Sequence, residues 1–283
     1  MVPNDPLPSR LRWSLLALVL FITVLVYWPG LYGGWLFDDY PNIVDNHSVQ
    51  PSTASPASLI KAALSSPASD FKRPLASLSF AANYLATGLD PFWMKLTNLV
   101  FHLLNGVLVF LLSRQLLKIS PDGRQGLFVD YGAALIAAGW LLLPINLTSV
   151  LYVVQRMESM ANLFVLVGLI GYLHGRRNLL EGHARAKALA LCAASLIFPV
   201  MLGALAKETA VMLPLYALTA EWILFDFRRS DGEADRQILS LFAVVLLIPL
   251  VVGLAWLLPS ILQPRTWAAR NATAWSISRA SRG

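Results

Sequence analysis

Seven long apolar stretches, separated by short polar segments, dominate the chain: about Trp13 to Leu31, Pro91 to Leu117, Leu127 to Leu143, Met157 to Leu173, Ala186 to Leu205, Ala210 to Phe225 and Ile238 to Leu258. Most approach the ~20 residues a helix needs to cross a ~30 Å hydrocarbon core. The pattern predicts an all-α polytopic membrane protein of about seven transmembrane helices. Two shorter helices are expected between the first and second spans. Ala57 to Leu64 reads as an amphipathic helix lying on the membrane surface. The other starts at Lys72-Arg73-Pro74, because proline suits a first helical turn, and stops at Gly88.

Composition agrees: 57% of the 283 residues are hydrophobic, 13% are charged, and the mean hydropathy is +0.60. The formal net charge of +6 would suggest a nucleic-acid partner in a soluble protein, but here the cations sit in short runs between apolar stretches, so no nucleic acid is implied. With the N-terminus cytoplasmic, the cytoplasmic set is Arg10, Arg12, Arg114, Lys118, Arg124, Arg176, Arg177, Arg185, Lys187, Arg228, Arg229 and Arg236. The outer set before the tail is half as large: Lys61, Lys72, Arg73, Lys95, Arg156 and Lys207. That bias orients the chain and makes the outer cations informative. The first apolar stretch reads as a retained anchor, being too long for a signal-peptide core. The expected organisation is a transmembrane domain over 1–262, with a first outer loop at about 33–90, and an irregular tail over 263–283. That tail reads as a truncated or altered end. Cys192, the single cysteine, is expected to be a small packing residue.

Certain polar residues stand where insertion does not favour them. Asp38 and Asp39 follow the first span and repel each other. Near an apolar wall one would have a raised pKa, giving a base beside a group that holds a cation or a sugar hydroxyl. The competing reading is a helix-end turn. Lys95, Asn98, His102 and Asn105 fall at spacings that place them on one helical face, which predicts a cavity wall; the competing reading is a satisfied core histidine at His102 and interhelical contacts by the asparagines. Arg156 and Glu158 open the fourth span, two residues apart, and need separate partners. An arginine there suits a phosphate, the competing reading being a side chain that snorkels to the interface. Lys207 and Glu208 form either a local charge pair or a further anion contact. Glu221 and Asp226 read as structural. Whether a metal sits between the aspartates is open, since no further outer-face ligand is evident. The cofactor is left unknown, a lipid-linked sugar counting as substrate. Two carboxylates, several cations and a polar groove in apolar helices fit a lipid phosphate whose tail stays in the bilayer. If its head carries a sugar, a carboxylate takes the proton of an acceptor hydroxyl, the oxygen attacks the anomeric carbon from the opposite side, and the lipid phosphate leaves.

The succession Phe37-Asp38-Asp39-Tyr40, Arg73-Pro74-Leu75, Gly88-Leu89-Asp90-Pro91-Phe92, Leu96-Thr97-Asn98-Leu99 to His102-Leu103-Leu104-Asn105, Tyr152-Val153-Val154-Gln155-Arg156-Met157 and Ala206-Lys207-Glu208 with Pro214-Leu215-Tyr216 resembles bacterial relatives of the TMTC-type protein O-mannosyltransferases, of the GT-C glycosyltransferase superfamily. The resemblance covers about Leu31 to Phe227. It implies a polyprenyl-phosphate-linked sugar as donor, a protein or glycan acceptor, Asp38 and Asp39 as the catalytic pair, and a bacterial inner-membrane location with a periplasmic active face. The expected substrate-binding residues are Arg73, Asn98, His102, Arg156, Glu158, Lys207 and Glu208. Relatives often carry histidine where Lys95 stands and His-Pro where Leu143-Pro144 stands. The alternatives are a non-enzymatic transporter or lipid-binding protein, with the polar stripe as permeation path, and an inactive truncated glycosyltransferase.

Overall fold

The computed structural model describes residues 9–119 and 126–262, so the expected tail over 263–283 and the cation Arg124 lie outside the described residues. Ten α-helices are found among the described residues: α1 (Ser9–Tyr27), α2 (Pro56–Ala63), α3 (Pro74–Thr87), α4 (Pro91–Ile119), α5 (Leu127–Leu142), α6 (Leu147–Leu151), α7 (Arg156–Leu180), α8 (Arg185–Ala204), α9 (Leu213–Phe225) and α10 (Arg236–Leu262). Among the described residues six stretches are long and apolar enough to cross a membrane. A seventh span results if α5 and the segment Pro144–Leu151, bent by 53° relative to it, count together. The chain is an all-α polytopic membrane protein.

Local chemistry accounts for the boundaries. Ser55 caps α2 by accepting a hydrogen bond from Ser58 N at 3.3 Å, and Pro56 follows at the first helical position. Pro74 opens α3, and Gly88, at φ 69°, closes it in a left-handed conformation that glycine adopts without strain. The bend after α5 comes from Pro144, which has no N–H to continue the ladder. It leaves helix-end carbonyls free, and long-range donors take one of them. Tyr27 Oη donates to Leu141 O at 3.2 Å, and His102 Nε2 donates to the same oxygen at 2.9 Å.

The chain divides into two units, Met1–Ile238 and Leu239–Gly283. In the second, the described residues continue the apolar helix α10. In the first, Leu16, Val109, Phe110, Ala133, Ala134, Ala137 and Leu166 form one core cluster of α1, α4, α5 and α7. Tyr27, Leu31, Leu99 and Val150 form another, nearer the first outer loop. α7 and α8 approach closely because α7 presents glycines to its neighbour. A Cβ added at Gly168 would lie 2.7 Å from Ser195 O, and one at Gly175 would lie 2.8 Å from Cys192 Sγ. Small residues permit this approach where no hydrophobic force drives helices together. Cys192 is buried in that seam, as expected of a packing residue.

The end of the bundle away from the first outer loop is tied by buried ion pairs. Asp130 receives Arg114 Nε at 2.7 Å and Arg12 Nε at 3.4 Å. Glu221 accepts from Arg176 Nε at 2.9 Å and from Tyr172 Oη at 2.7 Å. Glu221 is thus structural, joining α9 to α7.

Candidate functional site

The two adjacent aspartates have opposite environments. Phe37 adopts φ 30°, a strained value for a bulky side chain. The turn it makes is closed by Asp39 N donating to Leu36 O at 2.7 Å. Asp38 is left exposed and Asp39 is wholly buried. Asp39 Oδ1 accepts from Val154 N at 2.7 Å and Oδ2 from Leu36 N at 3.0 Å, so this carboxylate fastens the loop to the segment between α6 and α7. Burial pushes the Asp39 carboxyl above the ordinary carboxylate range, against the pull of those amides and of the Lys95 ammonium. The Asp38 backbone N–H donates to Tyr152 Oη at 2.9 Å. Desolvation, followed by the Asp38 carboxylate nearby, holds the Tyr152 hydroxyl in its neutral form. Sequence reasoning left Tyr152 without a role, although it stands within a quoted motif.

The polar stripe on α4 is real, and all four of its members are buried. Their donors are engaged mainly with backbone carbonyls. Lys95 Nζ donates to Gly33 O at 2.7 Å and to Gly34 O at 2.8 Å, holding the chain just after the first span. Asn98 Nδ2 donates to Tyr152 O at 3.3 Å and Val153 O at 3.2 Å. Asn105 Nδ2 donates to Ser159 O at 2.9 Å. Asn105 thus makes an interhelical bond to α7, Lys95 and Asn98 hold non-helical backbone, and the cavity reading applies to His102 and Asn105.

Arg156 is also fully buried, with its guanidinium 4.7 Å above the Phe80 ring. Nε donates to Asn98 Oδ1 at 2.8 Å, Nη1 to Ser79 O at 3.1 Å and Nη2 to Met94 O at 2.8 Å. The expectation that Arg156 grips a phosphate finds no exposed donor in this arrangement. The guanidinium is a five-donor fork, and here it clamps α3, α4 and α7 together.

The remaining charged candidates form two cross-pairs. Arg73 reaches Glu208, with Nη2 at 2.8 Å and Nε at 3.1 Å from Oε2, and Ser69 Oγ donates to Glu208 Oε1. Lys207 Nζ lies 2.8 Å from Glu158 Oε2, whose other oxygen accepts from Thr209 Oγ1 at 3.1 Å. Lys207 and Glu208, neighbours in sequence, therefore serve different partners. Their side chains, like those of Arg73 and Glu158, remain partly accessible. Lys72 and Arg73 both have positive φ, 60° and 42°, immediately before Pro74, where the preceding residue normally extends. The Glu208 bonds and the Leu75 N–H, which donates to Leu205 O at 2.9 Å, oppose relaxation of that strain.

A polar cavity of about 220 Å³ lies between α4, α7 and the bend after α5. His102, Asn105, Trp140, Asn146, Ser149, Glu158, Ser159 and Asn162 line it. His102 stacks on Trp140 with ring centroids 5.1 Å apart. Trp140, Ser149 and Asn162 were not singled out from sequence. The signal was the proline bend, which turns a polar segment back over the bundle. Among the described residues no group of three or more His, Cys, Asp or Glu is placed to hold a metal ion.

Three curated proteins are similar to this chain. Protein O-mannosyl-transferase TMTC3 of Mus musculus is 30% identical over 170 residues, which is 58% of this chain and 17% of that protein. TMTC3 of Homo sapiens is 29% identical over 163 residues, 56% of this chain and 16% of that protein. Protein O-mannosyl-transferase TMTC1 of Mus musculus is 28% identical over 175 residues, 59% and 17% of the respective chains. The similarity is distant and partial, and the chain spans about 17% of the length of the first of these relatives. No protein-family model matches, and no solved structure does.

Proposed function

We propose that this chain is a membrane glycosyltransferase of the GT-C type, moving a sugar with inversion from a polyprenyl-phosphate-linked donor to an acceptor hydroxyl. The observation that carries the reading is the division of labour within the aspartate pair: Asp39 is bound to two backbone amides, and Asp38 is exposed on the turn it anchors. The names of the relatives supply the reaction class.

In this reading Asp38 accepts the proton of the acceptor hydroxyl as its oxygen bonds to the anomeric carbon. The bond from that carbon to the donor phosphate breaks on the opposite side, and the electron pair leaves with the phosphate. Arg73 and Lys207, partly exposed and each held by one carboxylate, receive the phosphate by exchanging Glu208 and Glu158 for it. Arg156, Asn98 and Asp39 position the loop without touching substrate. The reaction takes place on the periplasmic face of a bacterial inner membrane, with a protein or glycan as acceptor.

Transfer from a polyprenyl-phosphate sugar, measured in proteoliposomes, tests the assignment. Asp38→Asn is expected to remove at least about a hundredfold of the rate, the lower end of general-base contributions, while the unfolding temperature stays unchanged. Full activity in that variant rules Asp38 out as the base.

A further inference from the structure

At the opposite end of α4, Arg114, Lys118 and Arg177 converge on a second cavity, of about 270 Å³, whose apolar walls are Leu111 and Ile170. Nineteen residues separate Lys95 from Arg114, roughly 28 Å along the helix at ~1.5 Å per residue. The two polar ends thus stand one hydrocarbon thickness apart, which places this cavity at the other membrane interface. Arg114 is paired with Asp130, and Arg177 with Glu181 across 2.9 Å. Lys118 is exposed and makes no ion pair among the described residues. Arg114, Arg177 and Arg12 act on it as like charges and Asp130 as an opposite one. Sidedness of insertion explains why cations collect at this end. It does not explain why three of them from two helices line one recess floored by aliphatic side chains.

We infer that this recess is a binding site for the phosphodiester headgroup of an anionic membrane phospholipid, with the acyl chains against Leu111 and Ile170. Among the described residues Lys118 has no carboxylate partner, and three convergent cations call for a phosphate. The aliphatic walls distinguish a lipid-borne phosphate from a free one, because inorganic phosphate gains nothing from them. Basic recesses between transmembrane helices suit such headgroups, each nearby Lys or Arg strengthening attraction to an anionic surface. The site does not depend on the glycosyltransferase reading, since none of its residues belongs to the outer loop or to the polar cavity lined by His102 and Glu158.

The test uses the full chain in phosphatidylcholine nanodiscs doped with phosphatidylglycerol, with retained lipid read by native mass spectrometry. Wild type is expected to retain phosphatidylglycerol selectively. The double variant Lys118→Gln, Arg177→Gln is expected to bind it about tenfold or more weakly, and Arg10→Gln, an exposed cation at the same end, is expected to bind it like wild type. Equal retention by wild type and the double variant overturns the proposal, as does an equal loss in Arg10→Gln. Inorganic phosphate at millimolar concentration is expected not to displace the lipid, and displacement overturns the lipid assignment. Thermal unfolding in pure phosphatidylcholine shows whether the double variant is folded. If it is not, Lys118→Gln alone is measured against the same criteria.

Discussion

Arg156 Nε donates to Asn98 Oδ1 across 2.8 Å, and the amide nitrogen of the same Asn98 donates to the carbonyls of Tyr152 and Val153. One side chain on α4 thus holds both the arginine that opens α7 and the backbone just before it. That backbone continues to Val154, whose N–H binds Asp39. The position of the first outer loop therefore depends on a polar contact buried inside the bundle.

Arg156→Lys should separate clamp from charge. A lysine keeps the cation but offers no planar fork to Asn98, Ser79 and Met94 at once. Hydrogen bonds to a charged group contribute about 1.5–3 kcal/mol each, and the lysine variant should lose at least one of the three. Denaturant unfolding of the reconstituted protein measures it. An unchanged midpoint would show that the three contacts are not a clamp.

Asp39→Asn should act on stability before chemistry. Asparagine has one side-chain oxygen, whereas Leu36 N and Val154 N both donate to Asp39. One buried N–H then faces an NH₂ group, at a cost of about 1–3 kcal/mol. The outer loop should become protease-sensitive in limited digestion while the transmembrane fragments persist.

The same residue sets a pH dependence. The folded chain holds the Asp39 proton more tightly than the unfolded chain, because burial raises its pKa above the ordinary 3.8. The stabilisation linked to that proton is therefore complete below the ordinary value and is lost as pH rises through the folded value, while the two amide bonds remain. Thermal unfolding followed upward from pH 3.8 should show this decline, and Asp39→Asn should flatten it.

Gly168→Ala should weaken the contact between α7 and α8. The added Cβ would approach a backbone carbonyl, Ser195 O, at 2.7 Å, where no side chain can swing aside. Overpacking of this kind costs about 1–3 kcal/mol. Gly139→Ala, with nothing within 4 Å of the new atom, should be neutral or slightly stabilising because alanine favours helix. Comparison of the two unfolding temperatures separates packing from propensity.

Where the helices lie was legible in the sequence. Hydropathy, Pro74, Pro91, Gly88 and Pro144 act within a few residues, so α3, α4 and the end of α5 stand close to where their patterns put them. The stripe on α4 was likewise readable, since helical spacing alone places those residues on one face.

Which aspartate faces out was not readable, because the partner that draws Asp39 inward, Val154, is 115 positions away. Nor was the difference between Arg156, clamped by Asn98 from 58 positions away, and Arg73, left partly accessible beside Glu208. A sequence specifies that a buried polar group requires partners. Only the packed bundle decides whether those partners come from the chain itself, as for Asp39 and Arg156, or leave the group open to water, as for Asp38.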